Sequence, residues 1–356
     1  MRMKILYCAS TTSHLRNFHL PYMQWMDERG CEVTALADDG EILPNTVEAK
    51  KVPFTKKMWS PRNIKSIFQV RRMLAKGKFG LIVTNTTLAG AVVRAAVVLL
   101  PKARRPKVLH ICHGFLFGVN SGVKKNLLLL PELVCAKVTD IFATMNQESD
   151  NIARKYKLGK QIVFTRGMGI DIGRFSRALP ESNAFNFVCV GDFSKRKNQS
   201  ALIRAFGKAA VQMPDARLVF AGDGAMTDEC RKLAHDINIG ECVDFLGYVK
   251  DVPKLLAECD VALSSSKSEG LPLNVMEAMA SGLPVIASDI AGHRDLLPSS
   301  SLYRTEAELA AKLAEQYALG RRRVEYGNLA QYALGNVMAE WIRIYKESAG
   351  LVELGF

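Results

Sequence analysis

Strand-like apolar runs alternate with amphipathic stretches of helical period along nearly the whole chain, and no other feature restricts the fold so much. "MKILYCAS" (3–10) reads as a buried strand, followed by an amphipathic helix around 18–29 that ends at Gly30, and "EVTALAD" (32–38) is the next strand. A helix over 63–78, strand "GLIVTNT" (80–86), a helix over 89–100 stopped by Pro101, and strands "KVLHICHG" (107–114) and "DIFATMN" (140–146) extend the series. Strands separated by helices connect as crossovers rather than hairpins, which means a parallel sheet with helices on its faces. A second series follows the polar, proline-containing "SRALPESN" (176–183), which reads as a linker. It runs through "FNFVCVGD" (185–192), a helix 199–212, "ARLVFAGDG" (216–224), a helix 227–237, "VDFLGYV" (243–249), "VALSSS" (261–266), a helix 273–281 and "PVIASD" (284–289). At 356 residues the chain is too long for one ordinary core. The expected fold is α/β, two doubly wound domains covering 1–178 and 179–335, with ligands at the carboxyl ends of the strands and in the cleft between domains.

Charge is divided unevenly along this frame. Residues 1–180 carry 29 Lys+Arg against 12 Asp+Glu, whereas residues 181–356 carry 19 against 23. The basic half points to an anionic surface or ligand, and a merely well-solvated basic face fits it equally. The longest apolar stretch, "LAGAVVRAAVVLLP" (88–101), is interrupted by Arg94 and falls short of the ~18 residues of a membrane span. The start "MRMKILYCAS" lacks the apolar length of a signal peptide. The eight cysteines are scattered, without a C-x-x-C pair, and indicate reduced, buried thiols of a cytoplasmic protein rather than a disulfide framework or a zinc site.

Three stretches carry the chemistry. "SEGLPLNVMEAMASGLPVIASD" (268–289) holds Glu269 in a loop and Glu277 in the second turn of a helix whose first turn takes Pro272. The amides of Gly270, Leu271, Leu273 and Asn274 open that helix and attract phosphate, and Gly270 permits close backbone approach. By themselves the glutamates fit two readings: one on ribose and one on sugar hydroxyls of a nucleotide-sugar, or a helix-dipole partner and a surface residue. "VGDFSKRKN" (190–198) puts Lys195, Arg196 and Lys197 at the carboxyl edge of the same sheet, as phosphate ligands or as a solvated basic turn. "ICHGFLFG" (111–118) puts His113 where a strand ends; His110, on the strand, reads as a core residue.

Read together, "EGLPLNVME" with "AMASGLPVIASD" resembles the signature of retaining glycosyltransferases of the GT-B fold, family 4 or group 1. "HGFLFG", "TDIFATMNQES", "GMGIDIGRF" (167–175), "FAGDG" and "FLGYVKDVPKLLAECDVALSSS" are similar to a bacterial branch building capsular, exopolysaccharide or O-antigen units. The resemblance implies two Rossmann-like domains facing a cleft, an acceptor-binding first domain and a nucleotide-sugar-binding second, with a C-terminal helix about 336–350 packing back on the first. It implies that Glu269 contacts donor sugar hydroxyls near the reacting carbon, that Glu277 holds the ribose, and that Gly270, Leu271, Pro272, Leu273 and Asn274 wall the diphosphate and sugar. Lys197 matches the lysine that neutralises the leaving diphosphate, with Gly191 and Arg196 beside it; Tyr248-Val249 meets the base, and His113 contacts the donor sugar. Asp192 departs from the pattern, which commonly has Arg there, and Arg196 is the candidate replacement.

No D-x-D sequence occurs, so neither metal nor other cofactor is expected; Lys197, Arg196 and the helix start stabilise the leaving group electrostatically. The reaction implied is front-face transfer with retention, from a nucleotide-sugar, commonly UDP-linked, to a polyprenyl-diphosphate-linked saccharide at the inner face of the cytoplasmic membrane. "KKMWSPRNIKSIFQVRRMLAKGKF" (56–79), with Trp59, Ile64, Ile67 and Phe68 among its basic residues, has the character of a segment lying on an anionic bilayer, or of a core helix with a basic outer face. Ser13, His14 and Arg16 are candidate acceptor contacts. Two other functions stay open at this level: a GT-B nucleotide-sugar 2-epimerase, and a basic nucleic-acid-binding protein, although no reader motif or stacking aromatics support the latter.

Overall fold

The first sheet is all-parallel because each strand is reached through a crossover. The computed structural model describes residues 2–44, 48–55, 60–115, 122–181 and 184–349. Its first unit takes in Met1–Met168 and Gly335–Phe356. Within it run β1 (Lys4–Cys8), α1 (Thr12–Glu28), β2 (Glu32–Ala37), β3 (Glu48–Lys51), α2 (Pro61–Gly77), β4 (Leu81–Asn85), α3 (Thr87–Val98), β5 (Lys107–Cys112), α4 (Gly122–Ala136), β6 (Ile141–Thr144), α5 (Gln147–Tyr156) and β7 (Gln161–Phe164). The seven strands lie in the order β3-β2-β1-β4-β5-β6-β7. The chain leaves β1 toward β2 and later returns to β1's other flank as β4, so the strand order reverses between β1 and β4, the place where such sheets bind ligands.

The second unit, Gly169–Leu334, repeats the plan. It comprises β8 (Phe185–Val190), α6 (Gln199–Ala209), β9 (Ala216–Ala221), α7 (Thr227–Asp236), β10 (Val243–Phe245), α8 (Val252–Ala257), β11 (Val261–Ser264), α9 (Leu273–Ala280), β12 (Val285–Ser288), α10 (Ala291–Arg294), β13 (Leu302–Tyr303) and α11 (Glu306–Ala318). Its order is β10-β9-β8-β11-β12-β13, and the reversal falls between β8 and β11. One face of this sheet buries Phe187, Phe206, Phe220, Leu309 and Leu313, the other Val188, Met276, Met279 and Val285. The last helix, α12 (Leu334–Ala349), belongs to the first unit. Its fully buried Trp341 donates from Nε1 to Gly167 O at 2.7 Å, and Tyr22 of α1 donates to Met168 O at 2.8 Å. These anchors set the division at Met168, ten residues ahead of the 178/179 boundary read from composition. "SRALP" is docked on the second unit, where Arg177 donates to Val324 O (2.6 Å) and Arg323 to Ala178 O (2.7 Å).

Two further boundaries differ from expectation for local reasons. The first helix starts at Thr12 rather than near 18, because Thr11 caps it by accepting from His14 N, so polar "TTSH" is a cap and not a loop. Pro272 is the N-cap of α9, in extended conformation, rather than a member of its first turn. Seven cysteines are buried and Cys242 is partly exposed; all are free. Trp59 and Leu116–Gly118 lie outside the described residues. Among the described residues, no helix is long and apolar enough to cross a membrane.

Candidate active site

At the reversal point of the second sheet the loops leaving β8 and β11 meet. Glu269 Oε1 lies 2.9 Å from Lys197 Nζ and 2.6 Å from Arg196 Nη1, and it accepts a third contact from Ser266 Oγ at 2.7 Å. Burial alone pushes the Glu269 carboxyl up, but Lys197 and then Arg196 outweigh it and hold the group below its ordinary range. Glu277, one turn into α9, is a contrast: burial dominates and raises it, with only Arg174 and Lys197 opposing at a distance. The two carboxylates therefore sit in different states, one fixed as an anion by two cations and the other costly to ionise.

Every strand end beneath this cluster is tied. The serine run closing β11 is buried, and each hydroxyl has a separate task. Ser264 Oγ meets His293 Nε2 at 3.1 Å, Ser265 Oγ donates to Lys197 O (2.8 Å) and Asn198 O (2.9 Å), and Ser266 braces Glu269. His293 Nδ1 contacts Ser288 O at 2.7 Å, while Ser288 Oγ donates to Ser266 O at 2.5 Å. Asn274, in the first turn of α9, donates from Nδ2 to Val190 O at 3.0 Å and joins the helix start to the end of β8. Gly292 is required here by space: a Cβ would stand 2.6 Å from Gly270 O and 2.8 Å from Glu269 O. None of Ser264–Ser266, Gly292, His293 or Arg174 was singled out by sequence reasoning. Their signal was weak, since a polar run at a strand end reads as an ordinary strand exit.

The structure brings Gly191, Arg196, Lys197, Glu269, Gly270, Leu271, Pro272, Leu273, Asn274 and Glu277 into one neighbourhood of the second unit. Arg196 spans the departure from the family pattern, with Nη2 3.5 Å from Asp192 Oδ1 while Nη1 holds Glu269. Lys195 is exposed and Tyr248 is 85% exposed beyond the short β10, with Val249 next to it. A bridge between Gly222 and Gly247 fixes where that exposed loop begins.

The reversal point of the first sheet is different in character. His113 follows β5, and its Nε2 lies 3.3 Å from His14 Nε2 and 3.4 Å from Asn85 Oδ1. His19, one and a half turns beyond His14 on α1, stacks edge-on against His113 with ring centroids 5.4 Å apart. Burial lowers all three imidazoles, His14 to about 4 and the other two well below their ordinary value, so the rings are neutral at neutral pH. Beside them Thr86 adopts φ +62, a strained conformation for a β-branched residue, with its hydroxyl 2.8 Å from Ser10 Oγ. Of the other acceptor candidates, Ser13 is exposed and bonds Thr11, and Arg16 is tied to Glu41. His110 is buried against Thr84 Oγ1 at 2.9 Å, as a core residue should be.

Comparison with known proteins gives one consistent family. Residues 171–318 match the model of the glycosyl transferases group 1, and residues 20–164 that of the glycosyl transferase 4-like domain. EpsD of Bacillus subtilis (strain 168) is 32% identical over 339 residues, covering 90% of this chain and 87% of EpsD. The Escherichia coli UDP-Gal:α-D-GlcNAc-diphosphoundecaprenol α-1,3-galactosyltransferase is 27% identical over 277 residues, 72% of this chain and 70% of its own. Among solved structures, Anabaena HepE in complex with UDP superimposes with a TM-score of 0.72 at 17% identity over 98% of this chain and 100% of its own. Sucrose-phosphate synthase from Thermosynechococcus elongatus does so at 0.75 and 18%, over 97% and 99%.

Proposed function

The chain belongs to the group 1 glycosyl transferases and is a GT-B glycosyltransferase, and from that premise we propose that it moves a sugar, with retention, from a UDP-sugar to a polyprenyl-diphosphate-linked saccharide in surface polysaccharide synthesis. The observation that carries this reading is the Lys197–Glu269–Arg196 cluster beside the start of α9. Two cations and the open amides of a helix N-terminus make a site for a diphosphate. Glu269 lies beside both cations. When the donor arrives, Lys197 and Arg196 turn to the diphosphate and Glu269 is released to accept hydrogen bonds from sugar hydroxyls. Glu277, whose carboxyl is raised by burial, takes the ribose hydroxyls, and Tyr248 and Val249 meet the base.

Catalysis in this reading is electrostatic. Negative charge grows on the departing diphosphate, and Lys197, Arg196 and the α9 amides stabilise it there more than in the ground state. The leaving phosphate oxygen takes the acceptor's proton on the face it vacates, which retains the anomeric configuration. His113 contributes a neutral, positioned contact to the donor sugar, and Ser13, His14 and Arg16 meet the acceptor. No metal clamp on the diphosphate is part of this scheme. HepE solved with UDP and with UDP-glucose, and the E. coli relative named for UDP-Gal and a diphosphoundecaprenol acceptor, support the choice of donor and acceptor class.

Peripheral attachment to the inner face of the cytoplasmic membrane is part of the same reading. Ile64 and Phe68 of α2 and Leu127, Leu130, Leu133 and Val134 of α4 are exposed. Both helices pack against α3 on one face of the first sheet, among exposed Arg62, Lys65, Lys102 and Arg104. Exposed apolar side chains and exposed cations on the same unit fit an anionic lipid surface. Family membership favours sugar transfer over the nucleic-acid-binding alternative. A transfer assay with a panel of nucleotide-sugars, run with and without lipid-linked acceptor, tests the proposal. Labelled lipid product of retained configuration is expected; release of free epimerised sugar without acceptor overturns it in favour of the 2-epimerase.

A further inference from the structure

The histidine cluster of the first unit does more than position one ring. His14, His19 and His113 each present a ring nitrogen, and no two of these atoms are more than 4.8 Å apart. A hydrogen bond between His14 and His113 satisfies one nitrogen on each. It does nothing for His19, which is fully buried and has neither nitrogen hydrogen-bonded among the described residues. A buried polar group without a partner is costly, so a core side chain left in this state beside two other imidazoles calls for a ligand.

We propose that His14, His19 and His113 form a binding site for a late first-row divalent metal ion of the zinc class. The 3.3 Å between His14 Nε2 and His113 Nε2 is the spacing of two ligands on a tetrahedral ion, about 3.3 Å for metal–nitrogen bonds of about 2.0–2.1 Å. His19 brings a third ring nitrogen within 4.8 Å of the other two. Three imidazoles without a carboxylate select zinc, cobalt, nickel or copper over magnesium or calcium. Three protein ligands leave a fourth position for water or a ligand oxygen, the arrangement of open rather than structural sites. All three ligands belong to the first unit and the diphosphate cluster to the second, and the absence of a D-x-D clamp bears only on the latter.

The test uses tag-free full-length protein stripped with a chelator and titrated with Co²⁺. One equivalent per chain should develop the visible absorption of a low-coordinate nitrogen site, be displaced by Zn²⁺, and raise the melting temperature. His14→Ala, at a partly exposed position that tolerates truncation, and His19→Leu should each weaken binding by at least ~100-fold, whereas exposed His235→Ala changes nothing. Circular dichroism confirms that the variants are folded. Absence of the band, or a band that survives His14→Ala and His19→Leu, overturns the site and leaves a buried water as the partner of His19. Stabilisation of stripped protein by a UDP-sugar is measured in parallel; it belongs to the second unit and reads the donor proposal independently.

Discussion

The two sheets reverse strand order at equivalent places, yet the sites built there differ in kind. In the second unit, the carboxyl ends of β8 and β11 hold charged groups whose contacts are closed: Glu269 has three partners, and Ser264, Ser265 and Ser266 fix the loops on both sides. In the first unit, helix α1 after β1 and the end of β5 hold neutral imidazoles, one with both nitrogens unpartnered among the described residues, next to a strained Thr86. A charged, braced cluster suits an anion that must be bound the same way each time. Neutral, loosely satisfied rings suit a group that meets a sugar or an ion by lone pairs. The same architecture thus supplies two chemistries through the side chains at its strand ends.

Breaking the charged site should have the largest effect. Lys197→Ala is expected to lower transfer by ~10³-fold or more, as loss of a charge-stabilising group does, with circular dichroism unchanged. His113→Ala sharpens the contrast: transfer falls ~10²-fold, but the melting-temperature rise caused by UDP alone, which carries no sugar, stays as in the parent. Ser266→Ala removes one brace from Glu269 and should cost ~10-fold in transfer through misplacement, with a smaller effect on UDP binding.

Acid reads the same site through stability. The depressed Glu269 carboxyl contributes stability that is present above the ordinary carboxylate range and is lost as pH falls through its lowered folded-state value. The melting-temperature gap between the parent and Glu269→Gln should therefore be open at pH 7 and close as pH falls through and below the ordinary glutamate range. Glu277 has the opposite sign, because its raised carboxyl makes ionisation in the folded state a cost as pH rises. Glu277→Gln should raise the melting temperature by about 1–3 °C at pH 7 while weakening nucleotide binding, the smallest effect of the set.

How far the sequence foretold this follows from the kind of signal each feature leaves. Alternating apolar runs announced both sheets, because buried parallel strands must be apolar on both faces. Glu269, Lys197 and Gly270 were visible because "EGLPLNVME" and "VGDFSKRKN" resemble a known signature, although by themselves they also fit a helix-dipole partner and a solvated basic turn. Ser264–Ser266 and Gly292 were not, since their importance lies in what packs against them from segments dozens of residues away. His19 was equally hidden: within "SHLRNFHLP" it looks like one polar position of an amphipathic helix, and only the return of β5 places His113 beside it. The early start of α1 was missed because a capping threonine looks like a loop.

In the proposed function Lys197, Arg196 and Glu269 hold a nucleoside diphosphate-sugar. The most direct measurement is the thermal shift produced by saturating UDP-sugar in the parent and in Lys197→Ala. The parent should gain several degrees, about 2.7 kcal/mol at a hundredfold excess over the dissociation constant, and the variant almost none. Equal shifts in the two proteins would contradict it.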